Sequence, residues 1–414
     1  MVSSVGEFAV SSVNIIDNIN NLLSIAFITL CTGGSVVCSQ YIGRKDHRNS
    51  SLASRQLVYV IISISVVISL VTLILRRPIV RGIYGNIEDN VMNGALIYFL
   101  VTASSYPALA LYNACAALFR ASGNSKLPMK VSLFVNVLNV GGNAFFVFVL
   151  HIGVLGVGLS TLICRVISAI VLFFMLYKNK RSPVSLSEIR KVTLIPSMIR
   201  RILNMGVPGG LEQSMFQLGR LLTQRIFPFF GTSIIAANAV ASVLNSFCFQ
   251  TGNAYCIAII TVVGQCIGAG DHEAAKKYTV KIIKITWITI ITLASLLFTF
   301  RGALVGFFSL SPEAQAAART FVTIHMISMV VGWTLSFVTP SALRAAGDAR
   351  YVMVAGIVSM WTVRVCFAYF LTFVVGIGPI GVWLAQGGDF IFRSFLFMKR
   401  WKGEKWKTIK VIDS

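Results

Sequence analysis

The stretch of sequence from Gln40 to His47 reads QYIGRKDH, and a related stretch from Gln265 to His272 reads QCIGAGDH. Five of the eight positions are identical. Two further matches follow in the same order and at nearly the same separation, namely 120–124 with 344–348 and 153–157 with 378–382. Three matches in one order predict that the chain is an internal duplication.

The composition indicates that this duplicated chain lies in a membrane. Of its 414 residues, 56% are hydrophobic and 12% are charged, whereas a soluble domain carries about 25% charged residues. The apolar residues form runs of about 20, long enough to cross a bilayer. We expect eleven spans, at roughly 13–42, 56–75, 91–119, 127–150, 154–177, 201–230, 233–267, 278–300, 315–343, 350–375 and 379–400.

The lysines and arginines indicate the orientation of these spans. They concentrate in alternate loops and in the C-terminal tail, while the opposite loops hold few, such as Arg76, Arg77, Arg81 and Arg301. The positive-inside rule then places the basic loops and the C-terminus in the cytoplasm of a multi-pass cell-membrane protein. Topology thus accounts for the net charge of +22, and we expect a lipid bilayer, not nucleic acid, as the partner.

The repeat also defines the expected fold class. Residues 6–10 align with 231–235, so the span at 201–230 has no counterpart in the first half. We therefore predict an all-α polytopic protein of two pseudo-symmetric parallel bundles, a six-plus-six design in which the first helix is missing from this chain. The expected parts are an N-terminal bundle (1–177), a cytoplasmic linker (178–200), a C-terminal bundle (201–400) and a basic tail (401–414).

The sequence gives no sign of catalysis or of a bound cofactor. Its eight cysteines are scattered through apolar segments without metal-ligand spacing, which predicts neither a metal site nor a disulfide framework. No nucleophile motif or paired carboxylates stand out. We expect a monomer that is not an enzyme and holds no cofactor beyond a coupling ion.

Several motifs resemble those of a known transporter family. The stretch 263–271 (VGQCIGAGD) with Glu273-Ala274-Ala275, its N-terminal copy, Gly206 to Glu212 (GVPGGLE) and Ala342 to Asp348 (ALRAAGD) are similar to motifs of the multidrug and toxic compound extrusion (MATE) family. The resemblance implies two helix bundles around a central cavity. It also implies a secondary efflux transporter that exports organic cations or amphipathic drugs in exchange for Na⁺ or H⁺ by alternating access.

Glu212 is the residue we expect to couple the ion. It lies eleven residues after Arg201, which places it about 16 Å into the membrane. The family's acidic residue in this helix usually lies further along, where this chain has Phe216. We predict that a lone carboxylate at Glu212, with Gln213 beside it, binds the cation. The alternative is an ion pair with an arginine, either Arg220 or one on another helix.

Further polar and aromatic side chains are candidates for the substrate cavity. We expect amides, one acid, one histidine and two aromatic residues to line it, or else to hold helices together: Asp17, Asn136, Asn139, Asn238, Asn245, His325, Trp333 and Tyr112. Prolines within spans can bend a helix, and we predict hinges at Pro107, Pro208 and Pro340.

Arginines inside spans leave a second function open. Asp389 and Arg393 have the spacing of an i,i+4 pair, whereas Arg165 and Arg364 have no evident local partner. These two could bind an anionic group, as in a lipid-linked saccharide or polyisoprenoid flippase of related architecture. The substrate, and the choice between Na⁺ and H⁺, are not readable from the residues.

Overall fold

A computed structural model describes residues 6–85, 88–179, 182–189 and 193–412, and these residues form helices, turns and loops without a β-strand. The predicted all-α fold is confirmed. Contacts divide the chain into two compact units, Met1–Gly210 and Leu211–Ser414.

In its described residues, the first unit has seven α-helices and the start of an eighth. Their bounds are α1 Glu7–Gly43, α2 His47–Ile74, α3 Arg76–Tyr84, α4 Asp89–Ser104, α5 Tyr106–Ala121, α6 Lys126–Ala144 with a π-helical end Phe145–Val149, and α7 Gly153–Lys178. Helix α8, Pro196–Gln224, contains the boundary between the units.

The second unit continues from α8 with a similar series. A short 3-10 turn Phe227–Phe230 precedes α9 Thr232–Gly268, α10 His272–Gly306, α11 Pro312–Ser328, π-helix Met329–Trp333, α12 Thr334–Ala345, α13 Ala349–Ser359, π-helix Met360–Cys366, α14 Phe367–Tyr369, π-helix Phe370–Val374, α15 Ile380–Lys402 and a 3-10 turn Lys405–Thr408.

The backbone of the two units carries the repeat that the sequence predicted. Both ends of α9 lie 225 residues after the ends of α1, and the π-helical stretches 145–149 and 370–374 keep the same separation. Positive backbone φ angles also recur in pairs at this separation or one residue less: Gly6 and Gly231, Lys45 and Gly270, Gly123 and Gly347, His151 and Gly376, Gly153 and Gly378. Such angles mark the tight turns between helices, so the turns are duplicated with the helices.

Each of the eleven predicted spans coincides with a helical segment. Among the described residues, eight helices are long and apolar enough to cross a membrane, or nine if α4 and α5, bent by 44° at Ser105, count as one span. The remaining two are α8 and α15, with 29 and 23 residues. Both carry charged residues in their middle turns, and these charges belong to the site described below.

The repeated motifs cap helices at the loop ends of the two units. The Asp46 carboxylate accepts the backbone N–H of Asn49 at 3.0 Å, and the Asp271 carboxylate accepts that of Ala274 at 2.8 Å. The bond from Asn49 holds the pKa of Asp46 below its ordinary value of 3.8. Asp46 and Asp271 are therefore the N-caps of the helices that follow the two repeated motifs.

The segment after α7 packs on helix α2. The Ser51 hydroxyl donates to the carbonyl of Ser185 at 2.6 Å, and the Tyr59 hydroxyl donates to that of Ile189 at 2.5 Å. Val184 and Leu186 are fully buried. The described part of the predicted linker is thus bound to the first unit, while its residues 180, 181 and 190–192 lie outside the described residues.

The tail after α15 makes the corresponding contacts in the second unit. Trp406 is buried and stacks on Trp401 with ring centroids 4.4 Å apart. The His272 ring packs edge-on to Trp406, and Glu404 pairs with Lys276. Helices α7 and α15 correspond in the repeat, as do α2 and α10. The segment after α7 packs on α2, and the tail after α15 packs on α10 in the same way. Residues 413 and 414 of the predicted tail lie outside the described residues.

Candidate functional site

Polar side chains of the first unit meet at one depth among apolar helices. Asp17 lies ten residues into α1, Tyr98 nine residues into α4 and Arg165 twelve residues into α7. At a rise of 1.5 Å per residue they stand about 15, 14 and 18 Å from the starts of their helices. We name Asp17, Asn20, Tyr98, Tyr106 and Arg165 the Asp17 cluster.

The direct partners of the Asp17 carboxylate are neutral. Its Oδ1 atom accepts the Tyr98 hydroxyl at 3.1 Å and the Asn20 amide at 3.3 Å. The Tyr106 hydroxyl in turn donates to the Asn20 side-chain oxygen at 2.8 Å, and this orients the amide toward Asp17. The carboxylate therefore keeps lone pairs for a proton or a cation, and binding one breaks no ion pair among the described residues.

Arg165 brings a positive charge to the edge of this cluster. Its Nη1 atom donates to the Ser105 hydroxyl at 2.7 Å, at the residue where α4 and α5 bend. It interacts electrostatically with Asp17, but no carboxylate of the described residues lies within ion-pair distance of it.

A cavity of about 220 Å³ opens beside Arg165 within the first unit. Predicted cavity residues Tyr112, Asn136 and Asn139 line it together, as do hydroxyls and apolar side chains of α5, α6 and α7. Asn139 accepts the amide of Asn143 at 3.2 Å. Three of the eight predicted cavity residues thus share one cavity, and Asp17 belongs to the adjacent cluster. Their role in binding substrate stays a prediction.

Glu212 on α8 is bound by two arginines of other helices. Its Oε2 accepts Arg344 Nη2 at 2.7 Å, and its Oε1 accepts Arg393 Nη2 at 3.3 Å. The expectation of a lone carboxylate was wrong, because α12 and α15 each bring a guanidinium to it. The ion-pair alternative describes its surroundings, whereas the coupling role of Glu212 stays a prediction. We name Glu212, Arg344, Arg364, Asp389 and Arg393 the Glu212 cluster.

The remaining charges of this cluster pair differently from the expected i,i+4 contact. Asp389 accepts the Ser359 hydroxyl and lies 4.0 Å from Arg364. Arg393 instead contacts Glu212, and its guanidinium lies 5.2 to 5.8 Å from three aromatic ring centres. Those rings belong to Phe216, Phe337 and Phe397. Glu212 and these rings compensate the buried charge of Arg393, so Asp389 is left for Arg364.

His325 ends a hydrogen-bonded relay in the second unit. Arg364 donates to the Gln386 side-chain oxygen at 2.9 Å, so the Gln386 amide nitrogen faces His325 Nδ1 at 3.2 Å. Because that nitrogen donates, neutral His325 carries its proton on Nε2, which has no partner among the described residues. His325 is thus part of a buried network.

The other predicted site residues occupy varied surroundings. Trp333 is fully buried and stacks on Phe337 at 4.9 Å, which is a packing role. Asn245 is buried, while Asn238 and Gln213 are half-buried. Pro208 and Pro340 lie inside α8 and α12, and Pro107 lies in the first turn of α5 after the 44° bend. The three hinges stay predictions.

Sequence reasoning missed the residues that give the two acids opposite surroundings. Tyr98 and Tyr106 are neutral donors from α4 and α5, and Arg344 lies in the 342–348 motif near the end of α12. Each contact joins residues 80 or more positions apart. No spacing within one helix reports such a contact. The presence of arginines inside apolar spans was the one available signal.

Comparison with known proteins identifies the family. The family model described as MatE matches residues 1–145 and 208–370. An uncharacterized transporter, YisQ of Bacillus subtilis, is 26% identical over 412 residues, covering 98% of this chain and 89% of the relative. A probable multidrug resistance protein NorM of Thermotoga maritima is 23% identical over 417 residues, covering 98% and 87%.

Solved structures show the same fold. A crystal structure of MATE in the bent conformation superposes with a TM-score of 0.91 at 16% identity, covering 98% of this chain and 90% of the other. A MOP superfamily transporter from Pyrococcus furiosus, described as having a reverse polarity of its binding pocket, gives 0.91 at 17% identity, covering 99% and 91%. With two bundles of membrane-spanning helices and a family model that matches most of its length, this chain belongs to the MatE (MATE) family of membrane transporters.

Proposed function

We propose that this protein is a secondary efflux transporter that exports organic cations or amphipathic drugs in exchange for H⁺ or Na⁺. We further propose that the Asp17 carboxylate is the group at which the coupling ion and the organic cation replace each other. Relatives described as probable multidrug resistance proteins support the efflux role. The observation that carries the assignment of Asp17 is its geometry: an acid within an apolar helix whose direct partners are two neutral donors.

The two acids, Asp17 and Glu212, differ in what ion binding would disrupt. Protonating Asp17 changes hydrogen bonds to a phenol and an amide. Protonating Glu212 breaks charge-assisted bonds to two guanidiniums at 2.7 and 3.3 Å, and such bonds are about twice as strong as neutral ones. A Na⁺ ion at Glu212 would also face the positive charges of Arg344 and Arg393. The geometry therefore favours Asp17 as the exchanging site and Glu212 as a fixed anchor of α8, α12 and α15.

If the organic cation and the coupling ion compete for the Asp17 carboxylate, binding of one releases the other, as exchange requires. An organic cation is attracted to the first unit while Asp17 is ionised. When a proton or Na⁺ occupies the carboxylate, that attraction is lost and the organic cation is released. Tyr112, Asn136 and Asn139 offer an aromatic face and amides in the cavity nearby. We further propose that the protein works as a monomer in the cell membrane with its C-terminus in the cytoplasm.

Dye efflux tests this proposal. The full chain is produced in a bacterial host that lacks its own multidrug pumps, and the cells are loaded with ethidium, an organic cation. We expect efflux above that of the empty vector when an inward H⁺ or Na⁺ gradient is imposed, and loss of this excess when an ionophore collapses the gradient. Efflux that equals the vector control under both gradients, with the protein present in the membrane, would contradict the proposal.

A further inference from the structure

Three lysines form a row on one side of α10, near its start. Lys277, Lys281 and Lys284 follow each other at intervals of four and three residues, so they share one face of the helix. All three are exposed, and among the described residues no acidic side chain lies within ion-pair distance of any of them. We name them the lysine face. Like charges at this spacing repel each other, so the row favours an anion beside it.

The apolar stretch that follows the lysine face places it at the membrane surface. The 16 residues between Lys284 and Arg301 carry no charge, and these two residues stand about 25 Å apart along α10. The hydrocarbon core of a bilayer is about 30 Å thick, so Lys284 lies at its edge and the other two lysines lie among the headgroups. Tyr278 and Trp287 are exposed beside them, as aromatic residues at this boundary commonly are.

The same face of the equivalent helix α2 is covered by protein. Helices α2 and α10 start 225 residues apart, so Gln56 has the place of Lys281, and Tyr59 has that of Lys284. The Gln56 amide and the Tyr59 hydroxyl each donate to a backbone carbonyl of the segment after α7, both at 2.5 Å. In the first unit this face is thus a row of hydrogen-bond donors whose acceptors come from a neighbouring segment.

The second unit keeps the donors but leaves the face open. The tail after α15 contacts α10 at His272, Glu273 and Lys276, within the first turn and a half. Lys281 and Lys284 lie one to two turns further along the helix and stay exposed. Their acceptors therefore come from the surroundings of the protein, which at this depth are lipid headgroups.

We infer that the lysine face of α10 is a binding site for an anionic phospholipid. Phosphate oxygens accept hydrogen bonds from the ammonium groups, which are spread over about 10 Å of the helix. The exposed side chains of Ile285 and Ile288 continue the surface toward the hydrocarbon and offer contact to an acyl chain. Phosphatidylglycerol fits this site, whereas the choline ammonium of phosphatidylcholine is repelled by the lysines. The site lies on the outside of the second unit and does not depend on the exchange proposed for Asp17.

Quenching of Trp287 fluorescence by brominated lipids tests this inference. Trp287 lies three residues after Lys284, and its indole N–H donates to the Val330 carbonyl at 2.6 Å, which holds the ring in place. The full-length protein is reconstituted in phosphatidylcholine bilayers that contain a small fraction of phosphatidylglycerol. Bromine is carried on the acyl chains either of the phosphatidylglycerol or of an equal amount of phosphatidylcholine. The signal of Trp287 is the difference between wild type and Trp287→Phe.

The expected result is a local preference for the anionic lipid. We expect phosphatidylglycerol to be enriched about tenfold over phosphatidylcholine beside Trp287, because each lysine at a membrane surface attracts anionic lipid. Lys277→Gln, Lys281→Gln and Lys284→Gln combined should reduce the enrichment to about twofold or less. Replacing the same three lysines by arginine should keep it, since a guanidinium also binds phosphate. An enrichment that survives the glutamine variant would overturn the inference.

A matched control separates a binding site from the general charge of the protein. Lys402→Gln, Lys405→Gln and Lys410→Gln combined remove three exposed lysines of the tail, so the net charge changes by the same amount, and the enrichment should remain. Its loss in this control would show a general surface potential and overturn the inference. Equal quenching by the two lipids in wild type would also overturn it. So would quenching by neither lipid, because a second copy or another protein would then cover the face.

Discussion

Replacing Glu212 by glutamine tests whether this acid is a fixed ion-pair partner or a site of ion exchange. The side chain of Glu212 is 7% exposed, that of Arg393 is 2% exposed and that of Arg344 is 25% exposed. The variant would leave Arg393 buried without a carboxylate. Breaking a buried pair in this way costs about 3–5 kcal/mol, and the three aromatic rings around Arg393 place the expected value near the lower end, about 3 kcal/mol.

The partner variant should cost much less. Arg344→Gln removes the more exposed arginine, while Glu212 keeps Arg393 at 3.3 Å, so we expect a loss of about 1 kcal/mol or less. In thermal unfolding followed by tryptophan fluorescence in detergent, Glu212→Gln should lower the apparent Tm by about 6–12 °C and Arg344→Gln by at most about 4 °C for a unit of this size.

A neutral result would refute the ion-pair account. If Glu212→Gln unfolds within about 2 °C of wild type, the native carboxyl is already protonated, because glutamine then replaces a group of equal charge. That outcome would restore Glu212 as the predicted exchange site. A loss for Arg344→Gln as large as that for Glu212→Gln would contradict the expectation that most of the cost comes from leaving the buried Arg393 without a carboxylate.

Three further predictions concern the caps, the packing and the tail. Asp46→Ala should lower the free energy of chemical unfolding by about 1 kcal/mol through loss of the helix cap. Because the pKa of Asp46 is lowered in the folded protein, the cap contributes fully above pH 3.8 and is lost as the pH falls through the folded-state pKa. The contribution should therefore not change between pH 5 and 8. Gly356→Ala places a Cβ 2.8 Å from the ion-paired carboxylate oxygen and should lower the apparent Tm by several degrees, whereas Gly388→Ala, whose Cβ would meet its nearest neighbour at 3.8 Å, should not. Lys276 and Lys407 lower the pKa of Glu404 to about 2. The resistance of the tail to protease should therefore be constant from pH 5 to 8, and it should fall in high salt and in Glu404→Gln. Resistance that is lost on mild acidification would contradict this pairing.

The fold was predictable because its signals are local or repeated. Apolar length defines most of the spans, and the matching motifs at 40–47 and 265–272 define the duplication that the backbone angles confirm. Helix α8 was harder to delimit, because its apolar pattern continues past Gln224 into a 3-10 turn.

The sites were predictable only in part, because their chemistry depends on contacts between distant residues. A carboxylate inside a span looks the same in sequence whether a phenol or two guanidiniums surround it. Glu212 therefore seemed a better exchange site than Asp17, which lies closer to the end of its helix. The cavity residues Tyr112, Asn136 and Asn139 could be identified, since two of them share one helical face and all three lie at similar depth.

Ion-driven transport by purified protein in liposomes tests the central claim most directly. The rate of ethidium export under an imposed ion gradient is compared for wild type, Asp17→Asn and Glu212→Gln, each normalised to the amount of folded protein. We predict that Asp17→Asn loses the dependence on the gradient, while the Glu212→Gln protein that remains folded retains it. Gradient-dependent export by Asp17→Asn, together with its loss in folded Glu212→Gln, would contradict the account.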